Sequence, residues 1–408
     1  MSKFVKIVFL AVLLLYFYHL IAFVVQHSAD QQWDFMIYYF AGKAHSLGLD
    51  PYVTSNLAQI SGKAIWLPYV YPPLTLWFFR LFTLLPFETA YILWLTLKIA
   101  LAFGLLYIWK KYFLAHTWSL LFCFVMVFAY DSALFWDIRS GNLSLVEQFV
   151  LWAAFVAFLK EKPLVFAGLI VVVSLFKITT LAFLLLLPVS RMRWKGWYFS
   201  GALVAFLAVM VADYLWQPEM FRAYLDRILT FEERAQDFNY STLAFFKDAY
   251  EYALRGRLPS LAALLPTLSY GAAAGAISLL SLFALRRRRS IGLPDDGKET
   301  LFLACLTYAL VFPRLKCYSL VLLLVPSFYI IRTYLARKTS AAAFLLLLIP
   351  VKSSLPEADA IAKFFLYYPL FLASLIWIAY LQYFREPIPG SDTHREAAAI
   401  PGDDTSSA

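Results

Sequence analysis

Long apolar runs separated by short polar stretches constrain this chain more than any other feature of its sequence. The first run extends from Phe4 to Val25 and carries one charged residue, Lys6; about 20 largely apolar residues are enough for a helix to span a bilayer. The hydrophobic share is 62% and the charged share 15%, against roughly 45–50% and 25% in soluble domains. The sequence therefore predicts an all-α, polytopic integral membrane protein and excludes a water-soluble globule.

The remaining apolar runs lie at 88–109, 118–136, 142–159, 163–190, 197–216, 259–285, 300–312, 317–333, 341–351 and 364–384. Lys and Arg residues close to the ends of spans favour the cytoplasmic side. All basic clusters except the turn with Arg314 and Lys316 take that side on two conditions: the run 163–190 is a hairpin bent at Lys177, and the stretch 70–87 lies at the interface. This arrangement predicts about 12 spans with both termini inside.

The predicted topology divides the chain into a membrane domain, residues 1–384, and a tail, residues 385–408, whose Pro, Gly, Ser and Asp content predicts a disordered cytoplasmic segment. Two large loops of the membrane domain face outward: 26–87, with an interfacial segment, and 217–258, with short amphipathic helices. The net charge is +9, but no basic soluble domain is present to bind nucleic acid. We therefore expect the lipid bilayer, and no nucleic acid, as a partner.

The first outer loop places a carboxylate among aromatic residues, with Asp34 between Trp33 and Phe35. Partial burial there would adjust the pKa of the carboxyl group, which makes Asp34 a candidate general base. A solvated or helix-capping aspartate explains the same residue. Asp50 precedes Pro51, a pair that favours a turn for purely local reasons.

Several cations are candidates for binding an anionic group. Lys177 stands inside an apolar run, where a charge costs roughly 2.5–3.5 kcal/mol on insertion scales, so we expect it at a helix break, paired or beside an anion; snorkelling to the interface is the alternative. Arg314 and Lys316 occupy an outer turn that the positive-inside rule prefers to leave neutral. Arg139 and Asn142 join two apolar runs, and they suit either phosphate and sugar binding or a capped turn between helices.

Taken in order, the motifs of the chain resemble those of glycosyltransferase family 87. They are the first span, WDFMIYYFAGKAHSLGLDPY, YPPLT, IRSGNLS, the hairpin AGLIVVVSLFKITTLAFLLLL ending in RMRW, and FPRLKCYSLVLLLVP. The resemblance covers about residues 4 to 335. It implies the GT-C architecture and an integral membrane enzyme that uses polyprenyl-phosphate-linked mannose.

By this resemblance, Asp34 is the general base of an inverting transfer to a hydroxyl acceptor, a glycolipid or polysaccharide, at the outer face of the cell membrane. The cations assigned to the donor phosphate are Lys177, Arg139, Arg314 and Lys316. The residues assigned to substrate binding are Trp33, Tyr38, Tyr71, Asn142 and Tyr318. No nucleotide diphosphate leaves in such a reaction, so neither a metal nor another cofactor is expected.

The chain departs from the family pattern in ways that leave the sugar and the acceptor open. It reads Gly141-Asn142 where the family usually has Gly-Gln and then Asn, and its late outer turn contains no histidine. A transporter or lipid flippase, with Lys177 and the outer cations along a translocation path, is the alternative, and a non-catalytic assembly factor is a third hypothesis. The aromatic outer loop around Asp34 favours the transferase, because a transporter does not need such a loop.

Overall fold

The computed structural model describes residues 3–26, 32–114, 120–190, 192–231, 239–254, 259–290, 297–335 and 365–385. Within these ranges the regular structure is helical, apart from an isolated antiparallel bridge between Asn239 and Lys316. The all-α prediction is confirmed there. The predicted span at 341–351 and the predicted disordered tail beyond Arg385 lie outside the described residues.

The α-helices are α1 Lys3–Gln26, α2 Trp33–Ser46, α3 Thr54–Ser61, α4 Leu74–Phe82, α5 Phe87–Ile108, α6 Leu120–Ser140, α7 Ser144–Leu159, α8 Pro163–Ser174, α9 Leu186–Val189, α10 Lys195–Trp216, α11 Pro218–Thr230, α12 Thr242–Leu254, α13 Pro259–Ser290, α14 Lys298–Val311, α15 Leu324–Ile330 and α16 Tyr368–Tyr383. Short 3-10 helices precede α9 and α15, at Ile178–Leu185 and Cys317–Leu323. π-Helical turns follow α5 and α15, at Trp109–Phe113 and Ile331–Leu335.

Five stretches of the described chain are helical, long and apolar enough to cross a membrane: Phe87–Phe113, Leu120–Ser140, Lys195–Trp216, Leu264–Ser290 and Cys317–Leu335. Five shorter apolar helices accompany them: Leu10–His19, Ser144–Leu159, Pro163–Ser174, Ile178–Val189 and Tyr368–Tyr383. These helices agree with the predicted membrane class. The count of about 12 spans, and the inward position of both termini, stay predictions.

The predicted break at Lys177 is confirmed. Helix α8 ends at Ser174, and Lys177 has φ −135° and ψ 89° before a 3-10 helix begins at Ile178. The Thr180 hydroxyl donates to the Lys177 carbonyl over 2.8 Å and shares a 2.9 Å hydrogen bond with Ser174. Such side-chain contacts offer the backbone an alternative to the α-helical ladder, so the small hydroxyl residues stabilise the break that exposes the lysine.

Within the described residues, the two loops predicted to face outward, called the first and second outer loops after that prediction, contain short helices. Helices α2, α3 and α4 of the first loop have 14, 8 and 9 residues, and α11 and α12 of the second have 13 each, all too short to span a bilayer. Helix α2 packs closely on α4 at Gly42, where a Cβ would lie 3.0 Å from the Arg80 nitrogen. Glycine at this position therefore lets the two backbones meet.

The first outer loop has its own apolar core, which joins it to α5. Phe35 stacks on Trp94 with ring centroids 5.3 Å apart, and Tyr38 packs at 4.7 Å from Phe79. Leu143, at the start of α7, belongs to the same buried cluster. This core fixes the beginning of α2 against the turn between α6 and α7.

Candidate active site

Asp34 lies in the first turn of α2 and is buried. A carboxylate in the first turn of a helix is favoured by the helix dipole and by the backbone N–H groups without helical partners. Its Oδ2 accepts a 2.8 Å hydrogen bond from the side-chain amide of Asn142. Two residues that the sequence analysis singled out separately are therefore direct partners.

The turn that carries Asn142 depends on a glycine. Gly141 has φ +71°, a conformation that side chains rarely adopt, and a Cβ there would lie 2.9 Å from Cβ of Phe35. Its carbonyl accepts from the Trp94 indole over 2.9 Å, and the Ile138 carbonyl accepts from the Gln32 amide over 2.8 Å. The turn is thus held by α5 on one side and by the entry to α2 on the other.

A buried ion pair, which the sequence analysis did not identify, anchors the same turn from α5. The Lys98 ammonium lies 2.5 Å from the Asp137 carboxylate, and neither side chain is exposed. Lys98 also donates to the backbone carbonyls of Asp137 and, over 2.7 Å, of Asn142. Lys98 lies inside the apolar run 88–109, just as Lys177 lies inside the run 163–190, so the same reasoning would have marked it as a charge that needs a partner.

Two tyrosines extend the hydrogen-bonded chain from Asp34. The Asn142 amide donates to the Tyr38 hydroxyl over 3.1 Å, and the Tyr38 and Tyr71 hydroxyls share a 3.0 Å hydrogen bond. The Tyr71 carbonyl accepts from the Tyr52 hydroxyl over 2.7 Å. Asp34, Asn142, Tyr38 and Tyr71 therefore form one continuous polar path within an aromatic surrounding.

Residues of the late outer turn, 312–318, influence the pKa values of the groups in this path. Burial raises the pKa of Asp34, while the hydrogen bond from Asn142 and the positive charge of Lys316 act in the opposite direction. Burial also raises the pKa of Tyr71; the charge of Glu147 adds to the increase and that of Arg314 opposes it. Burial, together with the nearby Tyr71, Asp34 and Tyr318, raises the pKa of Tyr38. The turn with Arg314, Lys316 and Tyr318 thus acts on the same site as Asp34.

The second outer loop holds this late turn in place. The Asn239 side-chain oxygen accepts from the Leu315 amide over 2.9 Å, and the Leu315 carbonyl accepts from the Tyr240 amide over 2.8 Å. The Ser241 hydroxyl donates to the Pro313 carbonyl over 2.6 Å. The backbone on both sides of Arg314 and Lys316 is therefore fixed, although Arg314 itself is exposed.

Arg139 lies in the last turn of α6, among aromatic rings. Its guanidinium carbon is 5.0 Å from the Trp136 ring centroid and 5.9 Å from that of Trp33, within the range of cation–π attraction. Trp33 is half-buried and directly precedes Asp34. Arg139 and Trp33 therefore form one edge of the site.

Lys177 forms a more open ion pair than Lys98. Its ammonium lies 3.7 Å from Glu147 Oε2 and donates to the Ser319 hydroxyl over 3.0 Å. Glu147 was not among the residues predicted for the site, although it is the one charged residue in the apolar run 142–159. Asp50, by contrast, has the predicted local role, since its carboxylate accepts from the Tyr52 amide over 2.8 Å.

The family model of glycosyltransferase family 87 matches residues 69–313 of the chain, which is more than half of the 408 residues. The matched range contains Tyr71, Arg139, Asn142 and Lys177, whereas Asp34 and the turn from Arg314 onward lie outside it. No curated protein and no solved structure matches the chain.

Proposed function

The chain belongs to glycosyltransferase family 87, and on that premise we propose that it is an inverting transferase using a polyprenyl-phosphate sugar. Family membership and the apolar helices indicate a glycosyltransferase embedded in a membrane. The order of motifs resembles enzymes that take mannose from polyprenyl phosphate, and mannose is the sugar we propose. The acceptor is a hydroxyl of a glycolipid or polysaccharide at the outer face of the membrane.

One observation supports this proposal above the others: a buried carboxylate is held by an amide beside basic residues. Asp34 accepts from Asn142 over 2.8 Å, and the charge of Lys316 acts on it. A transferase needs a base for the acceptor hydroxyl and positive charge for the leaving phosphate. Asp34 is the proposed base, and Lys316 is one of the cations proposed for the phosphate.

In the proposed reaction Asp34 removes the proton of the acceptor hydroxyl as its oxygen attacks the anomeric carbon. The new O–C bond forms on the face opposite the phosphate, and the old bond breaks with its electron pair going to the phosphate oxygen. General base catalysis of this kind contributes about 10²–10⁴ in rate. Because burial raises the pKa of Asp34, its carboxylate is a stronger base than an exposed aspartate.

We assign the negative charge of the leaving polyprenyl phosphate to the nearby cations. Arg314 and Lys316 take the larger share, because the Glu147 carboxylate at 3.7 Å offsets part of the charge of Lys177. Arg139 contributes from the Trp33 edge of the site. Positive groups that are already in place need no reorganisation as charge develops on the leaving group.

The aromatic residues are assigned to the sugar and the acceptor. Trp33 is half-buried beside Asp34 and presents an apolar ring against which a sugar ring packs. Tyr38, Tyr71 and Tyr318 supply hydroxyl groups that donate and accept hydrogen bonds. Asn142 takes a positioning role as well, because its amide already donates to Asp34 and Tyr38.

A reconstituted transfer assay tests this function. The full-length protein in liposomes receives polyprenyl-phosphate mannose or GDP-mannose together with a glycolipid extract, and mass spectrometry follows the acceptor. We expect a one-hexose increase with the lipid-linked donor and none with the nucleotide donor. Transfer from GDP-mannose alone, or movement of lipid across the bilayer without any transfer, would contradict the proposal and favour another donor class or a flippase.

A further inference from the structure

Glu147 carries a carboxylate oxygen that lacks a hydrogen-bond donor. The residue is 4% exposed, and its Oε2 has no hydrogen-bond partner among the residues that the structure describes. The Lys177 ammonium at 3.7 Å supplies charge but is too distant for a hydrogen bond. Buried polar atoms are normally hydrogen-bonded. The Asp137 oxygens lack a hydrogen bond as well, but they lie in direct contact with the Lys98 ammonium, whereas Glu147 Oε2 has room for a donor that a ligand brings.

The unpaired oxygen lies in the candidate active site. The charge of Glu147 acts on Tyr71, and Tyr71 is joined through Tyr38 and Asn142 to Asp34. The partner of Glu147, Lys177, donates to Ser319 over 3.0 Å, three residues after Lys316 of the late turn. Glu147 therefore acts on the Tyr71 end of the polar path and pairs with Lys177, one of the cations assigned to the phosphate.

We infer that Glu147 accepts a hydrogen bond from a ring hydroxyl of the transferred sugar, and that the Glu147–Lys177 pair selects donors by their hydroxyl pattern. This inference rests on the proposed glycosyltransferase function and names a specificity-determining pair for it. Glu147 takes no part in breaking or forming the glycosidic bonds; Lys177 keeps its share of the leaving-phosphate charge as well.

The chemistry of the pair suits a sugar ring better than the other parts of the donor. A carboxylate accepts hydrogen bonds only, and a lysine ammonium donates only, so together they match two adjacent hydroxyls, one donating and one accepting. An ionised phosphate diester offers no proton to Glu147 and is repelled by its charge. A polyprenyl chain offers neither donor nor acceptor.

A missing or inverted hydroxyl would leave the buried carboxylate unpaired. Sites built to hydrogen-bond a substrate hydroxyl reject the analogue without it strongly, by about 10⁴-fold or more in the best cases. The single pair here predicts discrimination of about 10- to 100-fold, the loss expected for one hydrogen bond to a charged group.

Donor selectivity tests the inference. Wild-type protein and Glu147→Gln are assayed in liposomes with short-chain polyprenyl-phosphate esters of mannose, glucose, galactose and arabinose. Monodeoxy analogues of the best donor complete the panel. We expect wild type to reject at least one deoxy analogue by about 10- to 100-fold in kcat/KM, and Glu147→Gln to lose most of that preference by slowing the parent sugar.

Glu299→Gln is the matched control. Glu299 is also a buried glutamate with a basic partner, Arg288 at 3.9 Å, and it accepts a 2.7 Å hydrogen bond from the Tyr329 hydroxyl. It should leave the preference unchanged. If Glu147→Gln does not fold, Glu147→Asp keeps the charge, moves the oxygen by one methylene and should lose selectivity in the same direction.

The outcomes separate the inference from the function on which it rests. An unchanged ratio between parent and deoxy donors in a folded Glu147 variant, with active wild type, overturns the inference alone. A folded wild-type protein that transfers no sugar from any of these donors overturns the proposed function and the inference with it. Loss of the ratio in Glu147 variants but not in Glu299→Gln supports both.

Discussion

Two lysine–carboxylate ion pairs adjoin the polar path that contains the candidate base, and they differ in how completely they are closed. Lys98 and Asp137 approach to 2.5 Å with neither side chain exposed, whereas Lys177 and Glu147 stand 3.7 Å apart with 22% of the lysine side chain exposed. Lys98 also donates to two backbone carbonyls of the α6–α7 turn. The ammonium and carboxylate of the closed pair are in direct contact, whereas the ammonium of the open pair stands beyond hydrogen-bond distance of Glu147 Oε2.

This difference assigns the two pairs different roles: the Lys98 pair stabilises the fold, and the Lys177 pair binds the donor. Removing one partner of a fully buried pair leaves a charge without compensation, which costs about 3–5 kcal/mol. A looser pair with access to solvent costs less to break. The Lys98 pair therefore fixes where Asn142 stands, and the Lys177 pair is available to respond to the donor.

The largest expected effect is on stability, from Lys98→Met. The change leaves the Asp137 carboxylate buried and unpaired, so we expect a loss of about 3–5 kcal/mol in the free energy of unfolding. Denaturant unfolding in detergent micelles measures it. Adding Asp137→Leu removes the stranded charge and should restore most of the loss; equal stability of Lys98→Met and wild type would refute the closed pair.

Lys177→Met should show the reverse balance. We expect a smaller stability loss than for Lys98→Met, because 22% of the lysine side chain is exposed and its ammonium is 3.7 Å from the carboxylate, but a 10- to 100-fold fall in kcat/KM at limiting donor. Arg287→Ala, in the basic end of α13, is the control and should retain full turnover. Should Lys177→Met unfold as easily as Lys98→Met, the contrast between the pairs would disappear.

Asn142→Ala should have a smaller effect, on the pH dependence of kcat/KM. The change removes the hydrogen bond that joins the α6–α7 turn to Asp34. The Asn142 hydrogen bond lowers the pKa of Asp34 against the rise caused by burial, so its loss raises that pKa further. The base is active when deprotonated, and the acidic limb of the kcat/KM profile should move to higher pH. Loss of activity without movement of this limb would restrict Asn142 to a structural role.

The sequence predicted both Asp34 and Asn142 as candidate site residues, but it did not predict the hydrogen bond between them. Asp34 stands out as a carboxylate among aromatic residues and Asn142 as a polar residue between apolar runs, yet 108 positions separate them. Their meeting depends on how α2 rests against the α6–α7 turn. That packing is set by the left-handed Gly141 and by contacts from Trp94 and Gln32, which no local pattern reveals.

For the buried ion pairs, the sequence indicates which charged residues need a partner but does not identify the partner. Charge inside an apolar run predicted a helix break or a partner for Lys177, and the structure contains both. The same reasoning applies to Lys98 and Glu147 but names no partner for either, because partners on other helices depend on helix rotation and depth. The helical class and the short outer helices, in contrast, follow from composition and run length alone.

Turnover of Asp34→Asn, measured beside Asp50→Asn, tests the central claim most directly. The first change keeps the shape of the side chain and removes its basicity, whereas Asp50 only closes a turn onto the Tyr52 amide. The account predicts that Asp34→Asn lowers single-turnover transfer by about 10² or more with donor binding and thermal stability nearly unchanged, and that Asp50→Asn stays close to wild type. Near-normal transfer by a folded Asp34→Asn protein would contradict a general base at this position.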